Sequence, residues 1–279
     1  MAILATLVLL GGVAATWLIT RRVTKHRVGL PFTALLAVVA IALALLEQRR
    51  AWVPGLAYWR DWVYFARVPL WLAITVLLAL AWWQAAGLRR RSIGLLTGVF
   101  LAYATAEVAA PALLPLFAAQ LSAETMGTGP NAAEALQSTG WSCGPTALAW
   151  TLRLRGLQAS EREMALLSAT VPLSGTSWPG MFRAAHHRGL TATILYPATW
   201  EKLQAAPKPL LADWRLNAVI SHMIVVIAAT PETVTVGDPL GGESTCHKTE
   251  LLGHRQKRMM ALGESTSGPR SQASRATGR

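Results

Sequence analysis

Four long apolar segments occupy the first 120 residues of this 279-residue chain, and they constrain its fold more than any other feature. The segments are Ala2–Thr20, Leu30–Leu46, Val68–Ala86 and Ile93–Phe117. Each approaches or exceeds the ~20 apolar residues with which a helix spans a bilayer. Because backbone polar groups in lipid must bond within their own segment, helix is the expected conformation. The sequence therefore predicts an all-α membrane half of four transmembrane helices over residues 1–120, in contact with the lipid bilayer.

Charged residues are scarce in this half, and the basic ones all lie outside the apolar segments. Only 3 of the 14 Asp and Glu precede residue 121, together with 11 of the 26 Lys and Arg. Basic residues that flank apolar segments set the topology of a membrane protein. If the N-terminus lies outside the cytoplasm, the loops between the segments place seven basic residues on the cytoplasmic side of the membrane and four on the outer side. The count predicts a multi-pass integral membrane protein whose C-terminal half is extracytoplasmic.

The remainder of the chain has the composition of an ordinary globular domain. It carries 15 basic and 11 acidic residues with no basic stripe, which argues against binding to nucleic acid. Its two cysteines, Cys143 and Cys246, are too few for a disulfide framework or a cysteine zinc site. No metal or cofactor is expected. The predicted organisation is a linker over residues 121–130, a folded domain over residues 131–262 and a disordered tail over residues 263–279.

Hydrophobic periodicity places helices before strands in the folded domain. Predicted helices cover 144–156, 160–167, 179–188 and 199–206, with a helical turn at 250–252. Ser160, with Glu163 three residues later, is typical of a capping box, and Thr199 is a predicted N-cap. Predicted strands cover 191–196, 209–212, 223–228, 233–236 and 258–262. This order predicts an α+β domain with a mostly antiparallel sheet.

Cys143 lies directly before the first predicted helix of this domain, in the sequence Ser-Cys-Gly-Pro. A thiol at a helix N-terminus faces the positive end of the helix dipole, which favours the nucleophilic thiolate. Gly144 allows a substrate carbonyl to approach the backbone, and Pro145 suits the first helical turn. A buried structural cysteine is the alternative at this position.

A nucleophilic thiol needs a base, and His222 differs from the other five histidines because it opens an apolar run. Asp238 follows the next predicted strand. If the two strands form a hairpin, the start of one lies beside the end of the other, and Asp238 can orient His222. A hydrogen-bonded core histidine and a turn aspartate before Pro239 are the alternatives.

The segments Gln137 to Gly144, His222-Met-Ile-Val-Val and Val-Gly-Asp238-Pro-Leu-Gly-Gly resemble the bacteriocin-processing cysteine peptidases, the double-glycine leader peptidases of the papain-like clan. The resemblance implies a papain-like α+β fold over about 131–262. It implies Cys143 as the nucleophile, His222 as the general base and acid, and Asp238 as the group that orients His222. It also implies Gln137 as an oxyanion-hole donor, together with the backbone N–H of Cys143.

Two departures from this family concern the residues beside the site and the architecture. Ser142 and Met223 stand where the family often has an acidic and an aromatic residue. Many members lead an ABC exporter, whereas this chain has no P-loop motif, and its apolar segments precede the peptidase region. The resemblance therefore implies a peptide or protein substrate and a possible transporter partner, but not the transport activity itself.

Three functions remain open at this point. The first is a cysteine peptidase in the bacterial inner membrane with an extracytoplasmic catalytic domain. The second is an acyl or peptidyl transferase of the same clan, in which an amine replaces water as the acceptor. The third is a catalytically silent domain that binds peptides near a transporter.

Overall fold

The computed structural model describes residues 7, 10–15, 17–18, 68–84, 87–124, 127–129, 134–172, 174–216, 221–254 and 258–264. The chain divides into two compact units. The first comprises Met1–Ser122, Ser138–Ser142 and Ser168–Gly180, and the second comprises Ala123–Gln137, Cys143–Leu167 and Met181–Arg279. The first of these divisions, after Ser122, falls within the predicted linker.

Two long helices make up most of the described part of the first unit. Helix α1 spans Val68–Gln84, and helix α2 spans Gly87–Phe117 and continues into a 3₁₀ helix at Ala118–Gln120. Residues 10–15 are helical as well. The predicted segments at 68–86 and 93–117 are therefore confirmed as helices, whereas the segment at 30–46 lies outside the described residues.

Aromatic rings join α1 to α2. Trp71 packs edge-on against Phe100 and Tyr103, with ring centroids 5.1 and 5.7 Å apart. Gly94 lies where an added Cβ would collide with the ring of Trp82. The absence of a side chain at this glycine lets the indole lie directly against the backbone of α2.

Helix α2 bends by 52° between Arg91–Ala106 and Val108–Gln120. Pro111 accounts for the position of the bend, because a proline ring clashes with the carbonyl four residues earlier and removes its hydrogen bond. Among the residues that the structure describes, no single helix combines the length and the apolar character needed to cross a membrane, although this bent pair does so by length and composition. The four-helix membrane half thus receives no support from the described residues and stays a prediction.

Five further helices follow within the described part of the chain, and two of them begin at the predicted caps. They are α3 (Cys143–Leu154), α4 (Glu161–Leu167), α5 (Trp178–His187), α6 (Trp200–Ala205) and α7 (Lys248–Gly253). The Ser160 hydroxyl accepts the Glu163 N–H at 3.2 Å, and the Thr199 hydroxyl accepts the Lys202 N–H at 3.3 Å. Helix α3 begins one residue earlier than predicted, so Cys143 is its first residue.

Six strands form one sheet among the described residues of the second unit. They are β1 (Leu190–Leu195), β2 (Leu210–Arg215), β3 (Ser221–Ala229), β4 (Thr233–Asp238), β5 (Gly242–His247) and β6 (Met259–Glu264). Their order in the sheet is β1-β6-β2-β3-β4-β5, and every neighbouring pair is antiparallel. The α+β prediction is confirmed.

Helices cover both faces of the centre of this sheet. On one face, α6 and α7 pack through a cluster of buried apolar side chains. The cluster comprises Trp200, Leu203, Leu210, Ala212, Ile224, Val226, Val234, Val236, Leu251 and Met259. Helix α3 packs against β2 and β3, and its Trp150 also meets Gly237 of β4. Because neighbouring strand residues point to opposite faces, the contact at Gly237 and the cluster residue Val236 place α3 on the other face.

Two strands differ from the sequence prediction. Strand β5 was not predicted, because its side chains are polar and mostly exposed at an edge of the sheet. Cys246 lies on β5 and packs partly against the buried cluster. Strand β6 extends through Gly263 and Glu264, which pair with β1 and so do not belong to the predicted tail.

Candidate active site

Cys143 opens helix α3 and is partly exposed. Gly144 and Pro145 follow it as buried residues of the first turn. The first N–H groups of a helix have no intrahelical acceptor and attract negative charge. The local sequence therefore places the thiol where an anion is stabilised.

His222 and Asp238 meet at one end of the β3–β4 hairpin. Val225 of β3 lies opposite Gly237 of β4, so the start of one strand is beside the end of the other. His222 is 4% exposed, and its Nε2 lies 2.6 Å from Oδ1 of Asp238. With Nε2 engaged in this bond, Nδ1 is the ring nitrogen left for a second partner.

The second partner of His222 is the Cys143 thiol, since each of these two groups shifts the pKa of the other. Burial raises the pKa of Cys143, but the hydrogen bond and positive charge of His222, with backbone bonds to Met223 and Gly144, lower it overall. Burial lowers the pKa of His222, but hydrogen bonds and negative charges from Cys143 and Asp238 raise it overall. Both shifts favour a thiolate beside an imidazolium.

The turn after β4 holds the Asp238 carboxylate in place. Its Oδ1 also accepts the N–H of Leu240 at 2.8 Å, and its carbonyl accepts the N–H of Gly241 at 3.1 Å. Gly242 ends this turn with φ of +84°, and an added Cβ would collide with the carboxylate of Glu134. Glycine adopts this positive φ without strain, which explains the second glycine of the Gly-Gly sequence after the aspartate.

Gln137 is joined to the same turn through its main chain. Its backbone N–H donates to the carbonyl of Pro239 at 2.8 Å, and the residue is half-buried. The segment that precedes Cys143 is thereby tied to the residue that follows Asp238. The role of the Gln137 side-chain amide as an oxyanion donor stays a prediction.

One contributor to the site was missed in the sequence. The backbone N–H of Met223 lies within hydrogen-bonding reach of Cys143 and helps to lower its pKa. Met223 was noted in the sequence only as a departure from an aromatic residue. Since the contact depends on how β3 passes the start of α3, no local pattern could reveal it.

Other titratable groups make local contacts away from this arrangement. The Nδ1 atom of His247 bonds to Thr249 at the start of α7, and Nδ1 of His254 bonds to the Arg215 carbonyl at 3.1 Å. Within the described part of the chain, no group of three or more His, Cys, Asp or Glu could hold a metal ion.

Sequence comparison identifies two archaeal relatives. An uncharacterized protein of Methanothermobacter marburgensis is 33% identical over 113 residues, which cover 38% of this chain and 70% of the relative. An uncharacterized protein of Methanothermobacter thermautotrophicus is 33% identical over 117 residues, which cover 39% of this chain and 73% of the relative. No protein-family model matches the chain.

Solved structures similar to this chain are peptidase domains. The peptidase domain of Streptococcus ComA, a bi-functional ABC transporter of a quorum-sensing pathway, is 20% identical with a TM-score of 0.44; the match covers 48% of this chain and 98% of that domain. A double glycine motif protease from an AMS/PCAT transporter, solved with a leader peptide, is 20% identical with a TM-score of 0.42; the match covers 47% of this chain and 91% of that protease.

Proposed function

The chain belongs to the same family as the two Methanothermobacter proteins, and we propose that it is a membrane-anchored cysteine peptidase that cleaves peptide or leader-peptide substrates. One observation carries this proposal, the series in which the Cys143 thiol interacts with His222 and His222 is hydrogen-bonded to Asp238. A nucleophile bonded to a base, and a base bonded to an orienting carboxylate, form the arrangement that acyl transfer requires.

The ionisation of this series matches the needs of the first chemical step. The pKa of Cys143 is lowered and that of His222 is raised, so both shifts favour the thiolate and imidazolium forms of the pair. A thiolate attacks without a prior proton transfer. The imidazolium holds the proton that the leaving amine needs.

The proposed reaction has two halves. The Cys143 thiolate adds to the peptide carbonyl carbon, and the carbonyl oxygen becomes an oxyanion bound by the Cys143 N–H and the Gln137 side-chain amide. The C–N bond then breaks, and the amine leaves with the proton of His222, which gives a thioester. Neutral His222 next takes a proton from water as the water attacks the thioester. Breakage of the C–S bond releases the carboxylic acid and restores the thiolate and the imidazolium.

Asp238 acts on the reaction through His222. It accepts from Nε2, so Nδ1 is directed to the thiol and the imidazolium is stabilised. The bond from the Leu240 N–H to the same carboxylate oxygen limits its rotation. This restraint supports an orienting role, in which the carboxylate keeps its charge throughout the cycle.

The apolar segments of residues 1–120 support attachment to a membrane. Their lengths suit helices that span a bilayer, and the basic residues at their ends favour an extracytoplasmic peptidase domain. The motif resemblance supports a peptide with a leader as the substrate and a transporter as the partner. The peptidase would then act on peptides beside the membrane.

The experiment uses the full chain purified in detergent and a peptide library whose products are read by mass spectrometry. The wild type is expected to cleave a defined set of peptides with addition of one water. Cys143→Ala should abolish cleavage, whereas Cys246→Ala makes the same chemical change at the other cysteine and should retain it. Cleavage that persists in Cys143→Ala, or no cleavage by the wild type, would contradict the proposal. Products that carry an added amine would assign the chain to the transferases.

A further inference from the structure

One face of helix α3 carries two residues that reach the β3–β4 hairpin. Cys143 and Trp150 are seven residues apart, a spacing that places them on the same side of a helix, two turns apart. Ala147 lies between them on that side and is fully buried. Its small side chain allows a close approach of the helix to the sheet.

Trp150 contacts the strand that ends in Asp238. A Cβ added at Gly237 would lie 2.8 Å from two atoms of the indole, Cζ3 and Cη2, and 3.0 Å from a third, Cζ2. Real side chains do not approach so closely, so the far edge of the indole rests directly on the backbone of β4. Trp150 is 1% exposed, and Gly237 is buried as well.

Gly237 is placed where its position matters for the site. It directly precedes Asp238, and it lies opposite Val225 of the strand that begins with Ser221 and His222. The hairpin is therefore touched by α3 at two points: the thiol of Cys143 at His222, and the indole of Trp150 at Gly237. Two points on one rigid helix define how closely that helix lies against the sheet.

We propose that the contact between Trp150 and Gly237 is a positioning contact that fixes the separation of α3 from the hairpin, so that the Cys143 thiol meets His222. Trp150 acts through the helix and does not itself touch the reacting atoms. The consequence for turnover rests on the proposed peptidase function. The consequence for ionisation of the Cys143 thiol does not depend on that function.

The choice of tryptophan supports this role. The Nε1 atom of Trp150 is buried and has no hydrogen-bond partner among the described residues. A buried donor without a partner is destabilising, and an aliphatic or phenyl side chain would fill a core position without that penalty. The packing of a large indole against a residue without a side chain therefore indicates that this position sets the distance between α3 and β4.

The test begins with Gly237→Ala, which inserts a methyl group between the indole and the strand. The matched control is Gly253→Ala, the same change at the end of α7, where an added Cβ meets nothing within 4 Å. Gly237→Ala should separate Cys143 from His222 and move the pH midpoint of Cys143 alkylation to higher values. Its kcat should fall roughly 10- to 100-fold with little change in KM, as expected for a small misplacement of reacting groups. The control should change neither quantity.

Trp150→Phe completes a double-mutant cycle, because phenylalanine lacks the far edge of the indole. The single variant Trp150→Phe should also raise the pH midpoint of Cys143 alkylation, since α3 loses its contact with β4. Combined with Gly237→Ala it should restore the midpoint toward that of the wild type, because the added methyl group occupies the vacated space. Additive shifts in the double variant would overturn the proposal.

The double-mutant cycle tests the positioning contact separately from the proposed peptidase function. If the wild type cleaves no peptide but the midpoints shift as expected, the positioning contact stands and the peptidase assignment fails. If the wild type is active and folded Trp150→Phe or Gly237→Ala has the midpoint of the Gly253→Ala control, the positioning contact is wrong. Circular dichroism on each variant identifies the folded ones.

Discussion

Nε2 of His222 lies 2.6 Å from Oδ1 of Asp238, although the two residues are 16 positions apart in the chain. Antiparallel pairing of β3 with β4 brings them together at the end of the hairpin opposite its turn. The same carboxylate oxygen also accepts the N–H of Leu240. These bonds leave the other ring nitrogen of His222 available to Cys143, on a strand that is buried on both faces.

The first prediction concerns the pH dependence of Asp238→Asn. The wild type should lose activity as pH falls through the lowered pKa of Cys143 and as pH rises through the raised pKa of His222. An asparagine Oδ1 can still accept from His222 and Leu240 but carries no charge. The pKa of His222 should then fall, so the alkaline limb of the profile should move to lower pH.

The Asp238→Asn loss should be smaller than that of His222→Ala, which removes the base itself. Glu232→Gln is a matched control, because it neutralises an exposed carboxylate at the turn end of the same hairpin. Glu232→Gln should leave the acid and alkaline limbs of the pH–activity profile unchanged. An unchanged alkaline limb in Asp238→Asn would show that the carboxylate does not set the ionisation of His222.

A second prediction concerns Gln137→Ala. The backbone bond from residue 137 to Pro239 does not depend on the side chain, so the substitution removes only the amide. Loss of an oxyanion donor should lower kcat by roughly 100- to 1,000-fold, equivalent to about 3 kcal/mol, with little change in KM. Gln204→Ala, at an exposed glutamine of α6, should have no effect on either constant. A rise in KM at constant kcat would instead assign Gln137 to substrate binding.

Cys246 should be dispensable. Burial and then the negative charge of Glu250 raise its pKa, whereas that of Cys143 is lowered. Iodoacetamide at neutral pH should therefore label Cys143 first, as peptide mapping by mass spectrometry would show. Cys246→Ala should retain wild-type turnover. Loss of activity in this variant, or faster labelling of Cys246, would reverse the roles of the two cysteines.

The topology prediction follows from the distribution of basic residues. A reporter that is active only in the periplasm, fused after Arg279, should be active, because the loop count places the C-terminal half outside. A reporter that works only in the cytoplasm is the paired control and should be silent. The reverse pattern would place the peptidase domain in the cytoplasm.

Much of the second unit was predictable from local patterns. The caps at Ser160 and Thr199 mark the starts of α4 and α6 because short polar side chains satisfy the first helical N–H groups. The apolar runs predicted β3 and β4, and a hairpin between them was enough to bring His222 close to Asp238. Local periodicity therefore identified the elements on which the candidate site is built.

The remaining features depend on contacts between distant parts of the chain. Strand β5 has a polar, exposed sequence and exists because β4 pairs with it. Strand β6 inserts between β1 and β2, an order that no local sequence signal encodes. The bond from Gln137 to Pro239 and the contact of Trp150 with Gly237 likewise join segments far apart in sequence. Such features follow from tertiary packing and could not be read from composition or spacing.

The pH dependence of Cys143 alkylation tests the central claim most directly, because it needs no substrate. Cys246 in the same sample serves as the internal reference. In the wild type the midpoint for Cys143 should lie below the value of about 8.5 that is usual for a free thiol, and in His222→Ala it should rise. A wild-type midpoint at or above that value, unchanged in His222→Ala, would contradict a thiolate paired with His222.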